Sequence, residues 1–181
     1  MSSASRKKTL IRSIRLSSEH DRVLEEEAKR KGLSVNSLLT TIITRYVEWD
    51  RFAERFGVVS VSRQGFKSMF DIFSDEMLLA HGRDVGARSA TEITRFWFGK
   101  LNLETFLSFI ALQSRYAGIY HYELSIKGRT YTVTFHHELG PRYNVVLANY
   151  FDQAIRNIVG VSPKIEKGIN TIVVSFEEPR P

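Results

Sequence analysis

The chain has 181 residues, of which 43% are apolar and 25% charged, with a formal net charge of +6. That composition excludes disordered and fibrous classes and favours a polyanionic partner. With no cysteine, disulfides, thiol catalysis and cysteine-based zinc or iron-sulfur sites are excluded as well. The length fits one large domain or two small ones. No apolar run approaches the ~20 residues of a bilayer-crossing helix. Met1 to Lys8 has no apolar signal-peptide core, so a cytoplasmic location is expected, with no membrane partner.

Residues 1–8 are small, polar and then basic, and are expected to form a flexible arm. Arg6, Lys7, Lys8, Arg12 and Arg15 all precede the first acidic residue, Glu19. Thr9 to Leu16 alternates, with Leu10, Ile14 and Leu16 on one side and Thr9, Ile11, Ser13 and Arg15 on the other. The spacing predicts a strand. A helix follows it at once, so its backbone groups find no hairpin partner. The simplest partner is the same strand of a second molecule, paired antiparallel about a twofold axis.

Ser17 or Ser18 caps a helix that runs to about Lys31, with Glu19 and Asp21 in its first turn and Gly32 as its left-handed C-cap. Ser34 caps a second helix whose apolar positions Val35, Leu38, Leu39, Ile42, Ile43 and Tyr46 recur at three and four. That stripe is too wide for one short module to cover, which again asks for a second copy. The helical pattern continues through Trp49, Ala53 and Phe56 to Gly57. Either helix two is long, making residues 9–56 one module, or Phe52 and Phe56 belong to the next core.

A strand, a capped helix, a Gly-Leu turn and a helix opening on Ser34-Val35-Asn36-Ser37 resemble the ribbon-helix-helix family of dimeric DNA-binding repressors, the Arc and methionine repressor type. The resemblance covers about residues 8 to 50 and implies an obligate homodimer, or a tetramer built from it, on double-stranded DNA. A two-stranded ribbon fits the major groove, so Thr9, Ile11, Ser13 and Arg15 are the candidates for base contacts, with Arg15 suited to a bidentate guanine contact. Lys7, Lys8 and Arg12 are candidates for phosphate contacts, as are the amides of Ser34, Val35 and Asn36 at a positive helix end. Two positions depart from the family pattern: Ile11 lies on the reading face, within reach of a thymine methyl, and Arg12 lies on the packing face.

Residues 58–181 read as a separate α+β domain with a mainly antiparallel sheet packed by helices. A strand is expected over Val58 to Ser62. Helices are expected from about Gln64 to Phe73, from Asp75 to about Arg83 after Ser74, through Phe98 from Ser89 or Thr91, and from Leu103 to about Tyr116 after Asn102. A hairpin of Ile119 to Ile126 and Arg129 to His137 turns at Lys127-Gly128. Its core face carries Tyr120, Tyr122, Leu124, Tyr131, Val133 and Phe135. A helix from Pro141 to about Val159 and a strand pair, Lys164 to Lys167 and Thr171 to Phe176, complete the domain. Its aromatic helices suit a sensor of an unknown effector or an oligomerisation unit.

Catalytic signals are missing. There is no Walker loop, Gly-x-Ser-x-Gly elbow or dinucleotide glycine triplet, and Gly82 to Gly86 reads as a helix break. Asp84, Glu92 and Glu104 are scattered, so neither an enzyme nor a cofactor is expected. His121 and His136, diagonal neighbours on the hairpin's outer face, are secondary metal candidates. The nickel-responsive repressor architecture joins such a DNA-binding module to a metal sensor, but its site also uses a cysteine, which this chain lacks. The expected function is that of a sequence-specific transcriptional regulator, a repressor. The alternatives are an antitoxin-like binder of a protein partner, a metal-responsive repressor, and a plain architectural DNA binder.

Overall fold

The computed structural model describes residues 10–179. They divide into two compact units, the first ending at Tyr46 and the second beginning at Val47.

In the first unit the helices form where local signals demand them. Helix α1 spans Ser18–Lys31; Ser17 is its N-cap and its hydroxyl accepts from the His20 amide at 3.2 Å. Gly32 takes φ 65°, which a side chain would resist, and the Gly32 and Leu33 amides donate to the Lys29 and Ala28 carbonyls. Helix α2 spans Val35–Arg45, with the Ser34 hydroxyl accepting from the Ser37 amide at 3.1 Å. Residues 10–16 do not form the expected strand in the single chain; they have no ladder partner and are exposed. In α1 and α2 only Ala28 and Leu38 are buried, whereas Val23, Ile42 and Ile43 lie open to solvent.

The helical backbone does not stop at Arg45. Tyr46–Asp50 forms a π-helical turn and Arg51–Phe56 forms α3, closed by Gly57 at φ 83°. Trp49 and Ala53 pack with Trp97 and Phe109, and Phe52 joins them, so this stretch belongs to the second core and not to a first module reaching residue 56. The Trp97 indole N–H donates to the Glu48 carbonyl at 3.2 Å.

The second unit is an α+β layer structure. Helices α4 (Arg63–Ile72), α5 (Asp75–Ala87), α6 (Ser89–Phe98) and α7 (Leu103–Leu112) precede a π turn over Gln113–Ala117. Strands β1 (His121–Lys127) and β2 (Thr130–His136), helix α8 (Pro141–Val159), and strands β3 (Lys164–Lys167) and β4 (Thr171–Glu177) follow. The sheet order is β1-β2-β4-β3, antiparallel throughout. Helix α8 lies on its inner face, where Phe151 stacks on Phe135 with ring centroids 4.2 Å apart, beside Val133, Ile172 and Val174.

Four local expectations are corrected. Val58 to Ser62 is exposed and has no ladder partner among the described residues; a run of β-branched residues does not make a strand without a ladder neighbour. Helix α5 continues unbroken through Gly82 and Gly86, which are buried against α8. A Cβ on Gly82 would stand 2.5 Å from the Val146 carbonyl oxygen, and one on Gly86 would collide with the Tyr150 carbonyl. Neither Ser89 nor Thr91 caps α6: Arg88 holds the N-cap position without a side-chain bond, and the Thr91 hydroxyl donates to the Arg88 carbonyl at 2.8 Å. The hairpin loop is Gly128-Arg129, because pairing extends to Lys127 opposite Thr130 and Gly128 takes φ 61°.

Candidate functional site

On the first unit, the cationic edge is built from groups that make few internal commitments. Arg15 and Ser13 are exposed and form no ion pair or hydrogen bond among the described residues. Arg12 makes a single contact, its guanidinium donating to the Ile11 carbonyl at 3.4 Å. Ile11 is 90% exposed, an unusual exposure for a β-branched apolar side chain. Thr9, Lys7 and Lys8 lie outside the described residues. At the α2 terminus the Ser34 hydroxyl accepts from the amide of Ser37, the helix's third residue, leaving the Val35 and Asn36 amides without a protein acceptor among the described residues. They point along the positive end of the helix dipole, a geometry that accepts an anion.

The second unit carries a different kind of site. A cavity of about 460 Å³ opens between α4, α5, α8 and the segment around Ile119. Phe66, Met69, Phe70, Phe73, Met77, Leu78, Val85, Val146 and Leu147 supply its apolar wall; His81, Gln113, Tyr120, Tyr143 and Tyr150 supply its polar atoms. Met69, Phe73, Met77 and His81 are exposed and form the rim, whereas Phe70, Leu78, Tyr120, Tyr143 and Leu147 are buried. The volume falls in the range of small-molecule sites. Aromatic density across the helices of residues 64–116 permits such a space, and of them α4 and α5 line it. The Tyr143 and Tyr150 contribution was missed because it depends on where α8 crosses α5. The signal available in the sequence was the four-residue spacing of Gly82 and Gly86, which brings two helix backbones together.

The histidine face is resolved differently from expectation. His121 and His136 are directly opposite in the β1–β2 register, not diagonal. His136 lies 4.0 Å from a Glu123 carboxylate oxygen and 3.5 Å from the Thr171 hydroxyl. Among the described residues no group of three or more potential ligands converges as a metal site would require. His137 is a structural residue. Its Nε2–H faces Asn144 Oδ1 at 2.7 Å, and its Nδ1 accepts from the Leu139 amide at 3.3 Å. Asn144, itself buried, donates onward to the Gly168 carbonyl at 2.7 Å, tying α8 to the β3–β4 turn.

Glu48 links the two π turns of the second unit's aromatic cluster. Its carboxylate accepts from the Tyr116 hydroxyl at 2.8 Å and from Arg115 at 3.3 Å. Desolvation, followed by that hydrogen bond, raises the Tyr116 pKa. Among the described residues no helix is long and apolar enough to cross a membrane. No protein-family model matches the chain, and no curated protein is significantly similar to it.

Proposed function

We propose that the chain is a sequence-specific, cytoplasmic DNA-binding transcriptional regulator, acting as a repressor and as a homodimer through a two-stranded ribbon in the major groove. One observation carries this reading. Residues 10–46 bury only Ala28 and Leu38, while Leu10, Ile14, Leu16, Val23, Ile42 and Ile43 remain exposed and residues 10–16 have no ladder partner. A second copy supplies both missing parts at once: a strand to pair with and an apolar surface to cover the stripe. The ribbon so formed turns Ile11, Ser13 and Arg15 to one side, and the open Val35 and Asn36 amides fit a flanking phosphate. The second unit, with a core of its own and a small-molecule-sized cavity, is read as the sensor.

Binding of the full-length protein to an operator selected from random duplexes tests the reading. Arg15→Ala is expected to lose about 1–3 kcal/mol of specific affinity, with the dimer intact by sedimentation. Equal affinity of variant and wild type removes the Arg15 contact; a wild-type protein that sediments as a monomer removes the ribbon.

A further inference from the structure

The cavity's polar atoms are unevenly satisfied. The Tyr120 hydroxyl donates to Gln113 Oε1 at 2.8 Å. The Tyr143 and Tyr150 hydroxyls have no hydrogen-bond partner among the described residues, although Tyr143 is only 6% exposed. Among the described residues no fully buried side-chain oxygen lacks a partner, so both phenol oxygens keep some exposure, and both residues line the cavity. A buried hydroxyl left unbonded costs free energy that a correctly placed acceptor returns.

The protonation state of these groups is settled by their surroundings. Burial raises the pKa of Tyr143 and Tyr150, the neighbouring Tyr150 hydroxyl adds to the rise at Tyr143, and Tyr120 is raised likewise. At neutral pH all three are uncharged donors. Among the described residues no Asp, Glu, Lys or Arg lines the cavity, and His81 at the rim is the one imidazole. A carboxylate or ammonium ligand would therefore lose its hydration without gaining a counter-charge at depth. A plain hydrocarbon would leave two phenol donors unanswered. Met69 and Met77 at the rim are flexible and adapt to entry of an apolar body.

We infer that the cavity binds a neutral, mainly apolar small molecule of roughly 10–20 non-hydrogen atoms whose carbonyl or ether oxygen accepts hydrogen bonds from Tyr143 and Tyr150. This deepens the sensor reading of the second unit and rests on it for its regulatory meaning, but occupancy is measured without DNA. Absence of DNA binding by the unliganded wild type, with ligand binding intact, refutes the regulator, and DNA binding without ligand binding refutes the ligand class.

Three probes of similar shape separate the possibilities on the full-length protein: benzophenone, diphenylmethane and 4-benzoylbenzoate. Benzophenone is expected to bind roughly five- to a hundredfold tighter than diphenylmethane, the span of two neutral hydrogen bonds, and tighter than the carboxylate. Tyr143→Phe with Tyr150→Phe erases the ketone's advantage and leaves the hydrocarbon's affinity unchanged. Near-ultraviolet irradiation of the benzophenone complex is expected to place its adducts on peptides from α4, α5 and α8. Equal binding of ketone and hydrocarbon to the wild type overturns the acceptor, and tighter binding of the carboxylate overturns neutrality. No binding, or adducts elsewhere, overturns the site. If the double variant fails to fold, the wild-type comparison and the adduct map decide on their own.

Discussion

Residues 10–46 hold two capped helices around two buried side chains, Ala28 and Leu38, whereas residues 47–179 bury two aromatic clusters, one around Phe106, Phe135 and Phe151 and the other around Trp49, Trp97 and Phe109. In the first unit, caps and a left-handed glycine specify helices without enough covered surface to hold them. Helices this short are marginal in water unless an apolar face is packed. In the second unit, α8 and the sheet cover each other, and stability arises within one chain. On the proposed homodimer, the first unit's stability is a property of the assembly and depends on concentration, whereas the second unit's does not.

The largest expected effect comes from the second unit's core. Phe135, fully buried and stacked on Phe151, is expected to cost about 3–5 kcal/mol when replaced by alanine. The urea midpoint of the sheet signal should move by the same amount at any protein concentration; a concentration-dependent midpoint would break the contrast. Ser34→Ala removes the α2 N-cap and is expected to cost about 1 kcal/mol. In this case the loss should appear as a weaker dimer, read by sedimentation across a dilution series, and a variant dimerising like wild type would show that α2 does not need its cap.

The smallest effect is a pH dependence at His137. Desolvation lowers its pKa below the ordinary 6.5, aided by His136 and opposed by the Asn144 hydrogen bond. The unfolded chain thus takes up a proton that the folded chain refuses as pH falls below about 6.5. Its contribution to stability is full above that value and declines as pH drops toward the folded pKa, with a slope of at most about 1.4 kcal/mol per pH unit. His137→Gln should flatten that decline in urea titrations between pH 7 and the acid limb. A variant that keeps the wild-type slope assigns the decline to other groups.

What was legible in the sequence is what local chemistry decides. Ser17, Gly32, Ser34, Ser74 and Asn102 cap their helices as their residue types demand, Pro141 opens α8, and period-two alternation placed the two faces of β2, with Val133 and Phe135 buried; on the edge strand β1, Leu124 of the expected core face is exposed. What failed was non-local. Val58 to Ser62 has strand composition but no neighbour among the described residues, and of the two readings left open for the stretch through Phe56, the packing of Trp49, Phe52 and Ala53 with Trp97 and Phe109 decides for the second core. The cavity was visible only as aromatic density, because its walls come from helices far apart in the chain. Of the proposed DNA edge, the helix end at Ser34 has its expected cap and open amides, while the ribbon needs a second copy to exist.

Gly82 and Gly86 set a dimension as well as a contact. Each meets the backbone carbonyl of an α8 residue, Val146 or Tyr150, whose own side chain lines the cavity. The gap between α5 and α8 is therefore gauged by main chain against main chain, which rotamer changes cannot widen. Substitutions at the rim, at Met69 or Met77, would lengthen or shorten the chamber while its width stayed constant. Across a lineage of such variants, the thickness of an acceptable guest would be inherited and its length would be free to drift.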